Sequence, residues 1–168
     1  MNMWLVGMMG VGKTSIGKRA AAVVGAPFFD TDLMVVERAG RTIAEIWAGQ
    51  GGEAEFRDLE RRAVAKVPVA HCLAAAGGGA VLDRTNRERM RLGAPVVWLD
   101  ANPALLAARV GGDETRPLAG DPVTSGETLR SILEHRRPLY AEISTHVIEA
   151  GERPLEDLVD EVVALWPD

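Results

Sequence analysis

The sequence predicts an α/β fold in which helices cover both faces of a five-stranded parallel sheet. Short apolar segments alternate with segments of helical periodicity along the whole 168-residue chain, which is the pattern of repeated β–α units. The apolar segments are bounded by Gly, Asp or Pro, as expected for strands of a buried parallel sheet. A glycine-rich stretch directly after the first of them points to a ligand site at the end of that strand.

The elements follow one another in a regular order. The predicted strands are residues 3–6, 27–29, 69–75, 95–99 and 146–148. Capping patterns indicate where helices begin: Thr42 with Glu45, Thr85 with Glu88, Thr124 with Glu127, and Asn102 before Pro103. A final helix over residues 154–166 carries its apolar side chains on one stripe and is expected to pack on the sheet. Trp4, Trp98, Trp166 and Cys72 are interpreted as core residues.

Two segments interrupt this order. Residues 48–53 place three glycines between two predicted helices, and residues 111–126 are polar and rich in Gly and Pro. A loop as long as the second is typically functional in a compact domain, and Arg116 within it favours a mobile lid. We therefore expect one domain, residues 1–168, with a lid at about residues 111–126.

Composition excludes several classes of protein. The single cysteine, Cys72, cannot form an internal disulfide, and no Cys/His cluster has the spacing of zinc ligands. A net charge of −5 argues against nucleic-acid binding. The N-terminal residues resemble neither a secretion signal nor a membrane span. We expect a cytoplasmic monomer whose partners are small molecules, without nucleic acid or membrane.

The phosphate-binding motif is the most specific signal in the chain. Residues 7–14 read GMMGVGKT and match G-x-x-x-x-G-K-S/T between a predicted strand and a predicted helix. The glycines allow backbone N–H groups to surround an anion, and the helix adds its positive end. Lys13 is expected to reach the β- and γ-phosphates, and the Thr14 hydroxyl to bind Mg²⁺. The predicted ATP contacts of this P-loop are Gly10, Val11, Gly12, Lys13, Thr14 and Ser15.

A second group of polar residues follows the second and third strands. Asp30 and Asp32 project toward the crevice where α/β proteins bind ligands, so one carboxylate can serve a metal and the other a substrate. The alternative is that one of them only caps the following helix. The third strand ends in Gly77, Gly78 and Gly79, where many P-loop proteins have a magnesium-binding acid. Asp30 is therefore expected to take the place of that acid in binding magnesium.

These motifs together resemble the shikimate kinase family over nearly the whole chain. The P-loop is followed, in the family's order, by DTD at 30–32, GEAEFR at 52–57, the glycines at 77–79, RPL at 116–118 and RRPLY at 136–140. The resemblance implies a P-loop NTPase fold of five strands with a mobile lid. It also implies transfer of the ATP γ-phosphoryl group to the 3-hydroxyl of shikimate. Trp47 and Ala119 depart from the family, which typically has phenylalanine and leucine there.

The resemblance also implies roles for individual residues. Asp32 would bind the substrate hydroxyls and act as the base, while Asp30 would help to hold one Mg²⁺ per subunit through water. Arg116 would contact the phosphates from the lid, so that Lys13, Asp32 and Arg116 form the catalytic set. The remaining contacts implied are Arg57, Arg136, Gly78 and Gly79 to shikimate, and Arg109 and Pro154 to adenine.

Other functions remain open on the residues alone. Another polyhydroxy-acid kinase, such as a gluconate kinase, needs the same acidic residue and arginines. A non-catalytic nucleotide-binding protein would be expected to lack Asp32 or Arg116, and both are present. A regulatory GTPase is disfavoured, because none of the three lysines lies in the N/T-K-x-D pattern typical of guanine recognition.

Overall fold

Five strands form one parallel sheet in the computed structural model, which describes residues 1–92, 95–110 and 126–167. They are β1 (Asn2–Val6), β2 (Phe28–Asp30), β3 (Cys72–Ala75), β4 (Val96–Asp100) and β5 (His146–Glu149). Their order across the sheet is β2-β3-β1-β4-β5, and Leu5 of the central strand pairs with Ala75 on one side and Val97 on the other. The predicted sheet is confirmed.

Most strand ends lie within one residue of the prediction, and the third strand is the exception. It was expected from residue 69 but begins at Cys72, which pairs with Asn2. The backbone bends at residues 69–71, so these residues do not continue the extended strand. Val69 is correspondingly half exposed.

The helices connect the strands as the alternation predicted. They are α1 (Lys13–Val24), α2 (Thr31–Ala39), α3 (Ile43–Ala48), α4 (Gly52–Lys66), α5 (Arg84–Met90), α6 (Pro103–Val110), α7 (Gly126–Ile143) and α8 (Leu155–Ala164), with a 3₁₀ turn at Ala80–Leu82. The glycine-rich break at residues 48–53 separates α3 from α4, as expected. Within the described segments, none of the helices combines the length and apolarity that crossing a membrane requires.

Two of the predicted helix starts are confirmed and one is wrong. Thr42 and Glu45 form a reciprocal capping box, and the Asn102 side chain accepts the Ala104 N–H at 2.9 Å. At α5, however, the cap is Asp83, whose carboxylate accepts two backbone N–H groups, and Thr85 lies inside the helix. A carboxylate before the first turn satisfies the free N–H groups, so a second cap is not needed. The pattern at Thr124 and Glu127 lies outside the described side chains.

The last helix is shorter than predicted. It covers Leu155–Ala164 and begins directly after Pro154, which is its N-cap residue. Proline suits the start of a helix because it has no backbone N–H that would be left unpaired there. Trp166 lies beyond the helix, packs against the core and meets the His71 ring edge-on at 5.3 Å. Trp4, Trp98 and Cys72 are buried in the core, as expected.

The sheet order creates a crevice between the carboxyl ends of β1 and β3. The chain leaves β1 toward β2 on one side, and it leaves β3 toward β4 on the other. Since parallel crossovers are right-handed, connections in opposite directions lie on opposite faces of the sheet. The crevice between two such strands is where open α/β sheets bind ligands.

A second, smaller core lies beside the main one. Val35, Ile46, Phe56 and Ala63 are buried together where α2, α3 and α4 pack on one another. These helices therefore form a lobe with apolar support of its own, next to the crevice.

Candidate active site

The loop after β1 has the geometry of an anion site. Gly10 and Gly12 adopt positive φ angles of 76° and 104°, a conformation that glycine adopts without steric cost. The Lys13 ammonium donates to the carbonyls of Gly7 and Met8 at 2.8 and 2.9 Å. Because Lys13 is buried at the first turn of α1, its charge and the helix N-terminus act on the same space in a weakly screened environment.

Thr14 and Asp30 meet at the base of this loop. The Thr14 hydroxyl donates to Asp30 Oδ2 at 2.6 Å, while Asp30 Oδ1 accepts the backbone N–H groups of Asp32 and Leu33. Asp30 is thus both the cap of α2 and the partner of Thr14, so its two interpretations from sequence are compatible. Two hard oxygen donors side by side fit Mg²⁺, which prefers such ligands and keeps several waters.

A cavity of about 330 Å³ opens above these residues. The residues around it are Met9, Gly10, Gly12, Lys13, Thr14, Ser15, Asp30, Asp32, Ala76 and Arg109. The structure therefore brings together most of the predicted ATP contacts. Arg109 also donates to the Gly151 carbonyl at 2.9 Å, which joins the end of α6 to the loop that leads to Pro154. Arg116 lies outside the described residues.

A second cavity adjoins the first under the α2–α4 lobe. It is lined by Met9, Asp32, Ile43, Trp47, Phe56, Arg57, Glu60, Gly78, Gly79 and Arg136. All the residues that sequence assigned to the substrate are in this set. Asp32 and Met9 line both cavities, so these two side chains stand at the junction between them.

Arg57 is held from several sides at the wall of the second cavity. Its guanidinium donates to Glu60 at 2.8 Å, and it lies over the rings of Trp47 and Phe56 at 5.8 and 5.2 Å from their centroids. Cation–π contacts and an ion pair restrict the side chain to one position. Trp47, which departs from the family pattern, thus contacts a residue that is predicted to bind the substrate.

Arg136 approaches the same cavity from α7. Its side chain is buried, and Nη1 has no hydrogen-bond partner within the part of the chain that the structure describes. Arg137, its neighbour, instead pairs with Asp100 at 3.1 Å and lies over Trp98. A buried cation with an unused donor is an expensive arrangement unless an anion binds there.

The glycines at 77–79 allow these charged groups to converge. A Cβ atom at Gly77 would collide with Asp32 Oδ1, and one at Gly79 would lie 2.5 Å from Arg57 Nη1. At Gly78 it would lie 3.1 Å from the Met9 backbone nitrogen. The turn therefore lies in direct contact with the P-loop, α2 and α4.

Glu60 is a site residue that the sequence analysis missed. Its carboxylate is 1% exposed, Oε2 accepts from Arg57, and Oε1 has no hydrogen-bond partner among the described residues. Burial raises the pKa of this carboxyl, the Arg57 guanidinium opposes the shift, and the charge of Asp32 adds to it. Its position three residues after Arg57, on one face of a helix, was the available signal. Arg61, one turn after Arg57 on the same helix, instead pairs with Asp83 and does not line the cavity.

Comparisons with known proteins agree with this arrangement. A family model described as shikimate kinase matches residues 9–166. The chain is 43% identical to a shikimate kinase of Symbiobacterium thermophilum over 97% of this chain and 94% of the relative. It also superimposes on the shikimate kinase from Acinetobacter baumannii solved in complex with shikimate, with a TM-score of 0.91 and 33% identity, covering 98% of this chain and 91% of that one.

A more distant likeness bears on the alternative kinase. A gluconokinase from Sinorhizobium meliloti superimposes with a TM-score of 0.56 at 20% identity, covering 97% of this chain and 89% of that one. At that identity the similarity is one of fold.

Proposed function

Since the chain belongs to the shikimate kinase family and phosphorylates shikimate with ATP as co-substrate, we propose that each of its two joined cavities holds one of these substrates. ATP binds in the cavity over the P-loop, and shikimate binds in the cavity under the α2–α4 lobe. The observation that carries this assignment is the position of Asp32, which lines both cavities. A group at that junction can meet the acceptor hydroxyl and the γ-phosphate in one complex.

The donor side neutralises phosphate charge. Lys13 and the backbone of residues 10–15 bind the phosphates, while Thr14 and Asp30 would hold one Mg²⁺ per subunit. When bound, the metal ion stabilises negative charge on the phosphate oxygens. Arg109 and Pro154 flank the adenine, supported by the bond from Arg109 to the loop before Pro154.

The acceptor side fixes shikimate by its carboxylate. Arg57 and Arg136 both line the second cavity, and two guanidinium groups directed at one space suit a planar carboxylate. The backbone of Gly78 and Gly79 contacts the ring side of the substrate. Asp32 then accepts a hydrogen bond from the 3-hydroxyl and turns its oxygen toward the phosphorus atom.

Asp32 acts as a base at the moment the new O–P bond forms. The hydroxyl proton passes to the carboxylate as the bond between the γ-phosphorus and the bridging oxygen of ADP breaks. Because phosphoryl transfer has a loose transition state, orientation of the hydroxyl contributes as much as removal of the proton.

Residues 1–168 form a single kinase domain in this proposal, working as a cytoplasmic monomer. The lid expected at about residues 111–126 lies outside the described residues up to the start of α7, and in this proposal its Arg116 would contact the transferring phosphoryl group. Exclusion of water favours transfer to shikimate over hydrolysis.

A coupled assay of ADP release tests the substrate. We expect turnover with shikimate and only background rates with gluconate or nucleoside monophosphates, because the chain belongs to the shikimate kinase family. Turnover with another acceptor while shikimate stayed inert would contradict the assignment.

The role of Asp32 is tested in the same assay. Asp32→Asn keeps the size of the side chain and removes the charge, so we expect turnover to fall by about 10²-fold or more while ATP binding is retained. Activity within a few fold of the parent would remove Asp32 from both of its proposed roles.

A further inference from the structure

Tyr140 lies at the end of the RRPLY motif and has no role in the mechanism above. It is fully buried on α7, four residues after Arg136. Its ring stacks on Trp98 with 5.6 Å between centroids and 26° between planes. The hydroxyl donates to the Gly78 carbonyl at 2.6 Å, across 62 residues of sequence. A buried side chain thus reaches through the core to the backbone of the substrate turn.

This hydrogen bond fixes more than one carbonyl group. In a trans peptide the C=O of one residue and the N–H of the next are antiparallel in a single plane, and the chain contains no cis peptide bond in its described part. Holding the Gly78 carbonyl therefore sets the direction of the Gly79 N–H. Glycines lack the side chain that would otherwise restrict rotation of this plane.

The turn is held at a second point by another element. The Gly77 N–H donates to the Thr31 hydroxyl at 2.9 Å, and Thr31 is completely buried next to Asp32. The two bonds connect the turn to the helix that carries Asp32 and to the helix that carries Arg136. The guanidinium of Arg136 lies beside the phenol oxygen. Tyr140 therefore contacts both the turn and the arginine that we assign to the substrate carboxylate.

We propose that Tyr140 is a positioning residue for shikimate, which sets the orientation of the Gly78–Gly79 peptide through its hydroxyl and keeps it aligned with Arg136. The inference rests on the assignment of shikimate to the second cavity. The hydroxyl remains a donor over the whole working range of pH, since burial raises the pKa of Tyr140 to about 12.

Tyr140→Phe isolates this bond, because the ring and its stacking on Trp98 are retained. It leaves the partly buried Gly78 carbonyl without its donor, and a loss of this kind corresponds to a rise of about tenfold in KM for shikimate. We expect KM for ATP to stay within about twofold, since the P-loop is not touched. A KM that is unchanged for shikimate, or that rises equally for both substrates, would contradict the proposal.

The matched control loses a comparable bond at the opposite end of the sheet. Asn2 is buried, and its side-chain amide donates to the Pro68 carbonyl at 3.0 Å. Asn2→Ala is expected to lower thermal stability at least as much as Tyr140→Phe and to leave both KM values unchanged. An equal rise in shikimate KM in the control would assign the effect to general loosening of the fold and overturn the inference.

A spectroscopic test does not depend on any variant. Tyr140 is the only tyrosine in the chain, so 3-fluorotyrosine incorporated into the parent gives one ¹⁹F resonance. We expect that resonance to shift when shikimate is added and to change much less with ADP alone. No shift with saturating shikimate would refute the role of Tyr140 even if Tyr140→Phe failed to fold. An inactive parent would instead contradict the proposed function.

Discussion

At the level of single residues, both cavities are lined by cations that neighbouring groups hold in place. Lys13 is held by two backbone carbonyls, and Arg57 is held by Glu60 and two aromatic rings. A charge that is already oriented needs little reorganisation during the reaction. The contribution of each cation should therefore be large and specific to one substrate.

Replacement of Lys13 by Met keeps most of the stem and removes the charge. We expect turnover to fall by about 10³-fold, as for other electrostatic contacts to a transition state, with circular dichroism unchanged. Lys18 lies exposed on the same helix, so Lys18→Met is the control and should keep nearly full activity. Equal losses in the two variants would contradict a specific role for Lys13.

Arg57→Ala and Arg136→Ala test the carboxylate clamp. Each charge-assisted contact is worth about 1.5–3 kcal/mol, or roughly 10- to 100-fold in kcat/KM for shikimate. The double variant should lose less than the product of the two single losses, because both groups bind one carboxylate. An analogue with a neutral amide in place of the carboxylate should be a poor substrate for the parent, and both variants should barely distinguish it from shikimate.

Arg137→Ala serves as the control for the clamp. Arg137 adjoins Arg136 but pairs with Asp100 and is half exposed. We therefore expect Arg137→Ala to change kcat/KM for shikimate by an amount equivalent to at most about 0.5 kcal/mol. Losses at Arg57 and Arg136 that match this small effect would remove both from the substrate site.

At the level of elements, the turn at residues 77–79 connects most parts of the site. It contacts the P-loop at Met9, α2 at Asp32, α4 at Arg57 and α7 at Tyr140. Its lack of side chains allows this convergence, and its position after the strand next to β1 brings it to the crevice. Because each glycine of the turn has a different neighbour, substitutions at different glycines should affect kcat and the KM for shikimate separately.

Alanine at two of these glycines should separate the two effects. In Gly77→Ala the new Cβ displaces Asp32, so we expect lower kcat; in Gly79→Ala it displaces the end of Arg57, so we expect higher KM for shikimate. Steady-state kinetics with each substrate varied distinguish these outcomes. The same kinetic change in both variants would contradict separate effects through Asp32 and Arg57.

Gly17→Ala is the matching stability control. Its Cβ would collide with the Phe28 ring in the core, and overpacking of this kind costs about 1–3 kcal/mol. We expect a lower melting temperature, while the KM for shikimate stays close to that of the parent.

At the level of the whole molecule, a carboxylate that lines the second cavity is kept buried. Glu60 lies on α4, and one of its carboxylate oxygens has no hydrogen-bond partner among the described groups. Burial raises the pKa of Glu60 above its ordinary value of 4.5, so the folded chain holds the proton more tightly than the unfolded chain. Stability from this group is fully present below pH 4.5 and is lost as the pH rises through the raised pKa.

Comparison with Glu60→Gln measures this linkage. The free energy of unfolding of the parent, relative to the variant, should decrease from pH 4.5 upward and become constant above the folded pKa. Urea unfolding at a series of pH values provides the measurement. A relative stability that stays constant or increases over this range would contradict the predicted sign. The variant should also bind shikimate more weakly, because Arg57 loses its ionic partner.

The sequence by itself determined the features that depend on neighbours in the chain. A strand, a glycine-rich loop and a helix in direct succession specify the P-loop, because backbone hydrogen bonding and glycine φ angles are local. The cap at Thr42 and the five apolar strands are local in the same sense. The family motifs added the residues around the second cavity, although their spacing in the sequence did not indicate which of their side chains contact one another.

Only the tertiary structure decided which of these residues share a space. The junction at Met9 and Asp32, the burial of Glu60 and the bond from Tyr140 to Gly78 join segments far apart in sequence. The local pattern at Thr85 gave the wrong cap, since Asp83 was the better acceptor and also pairs with Arg61 of another helix. The physical reason is that a cavity, a desolvated charge and a cross-core hydrogen bond are sums over contacts between distant segments.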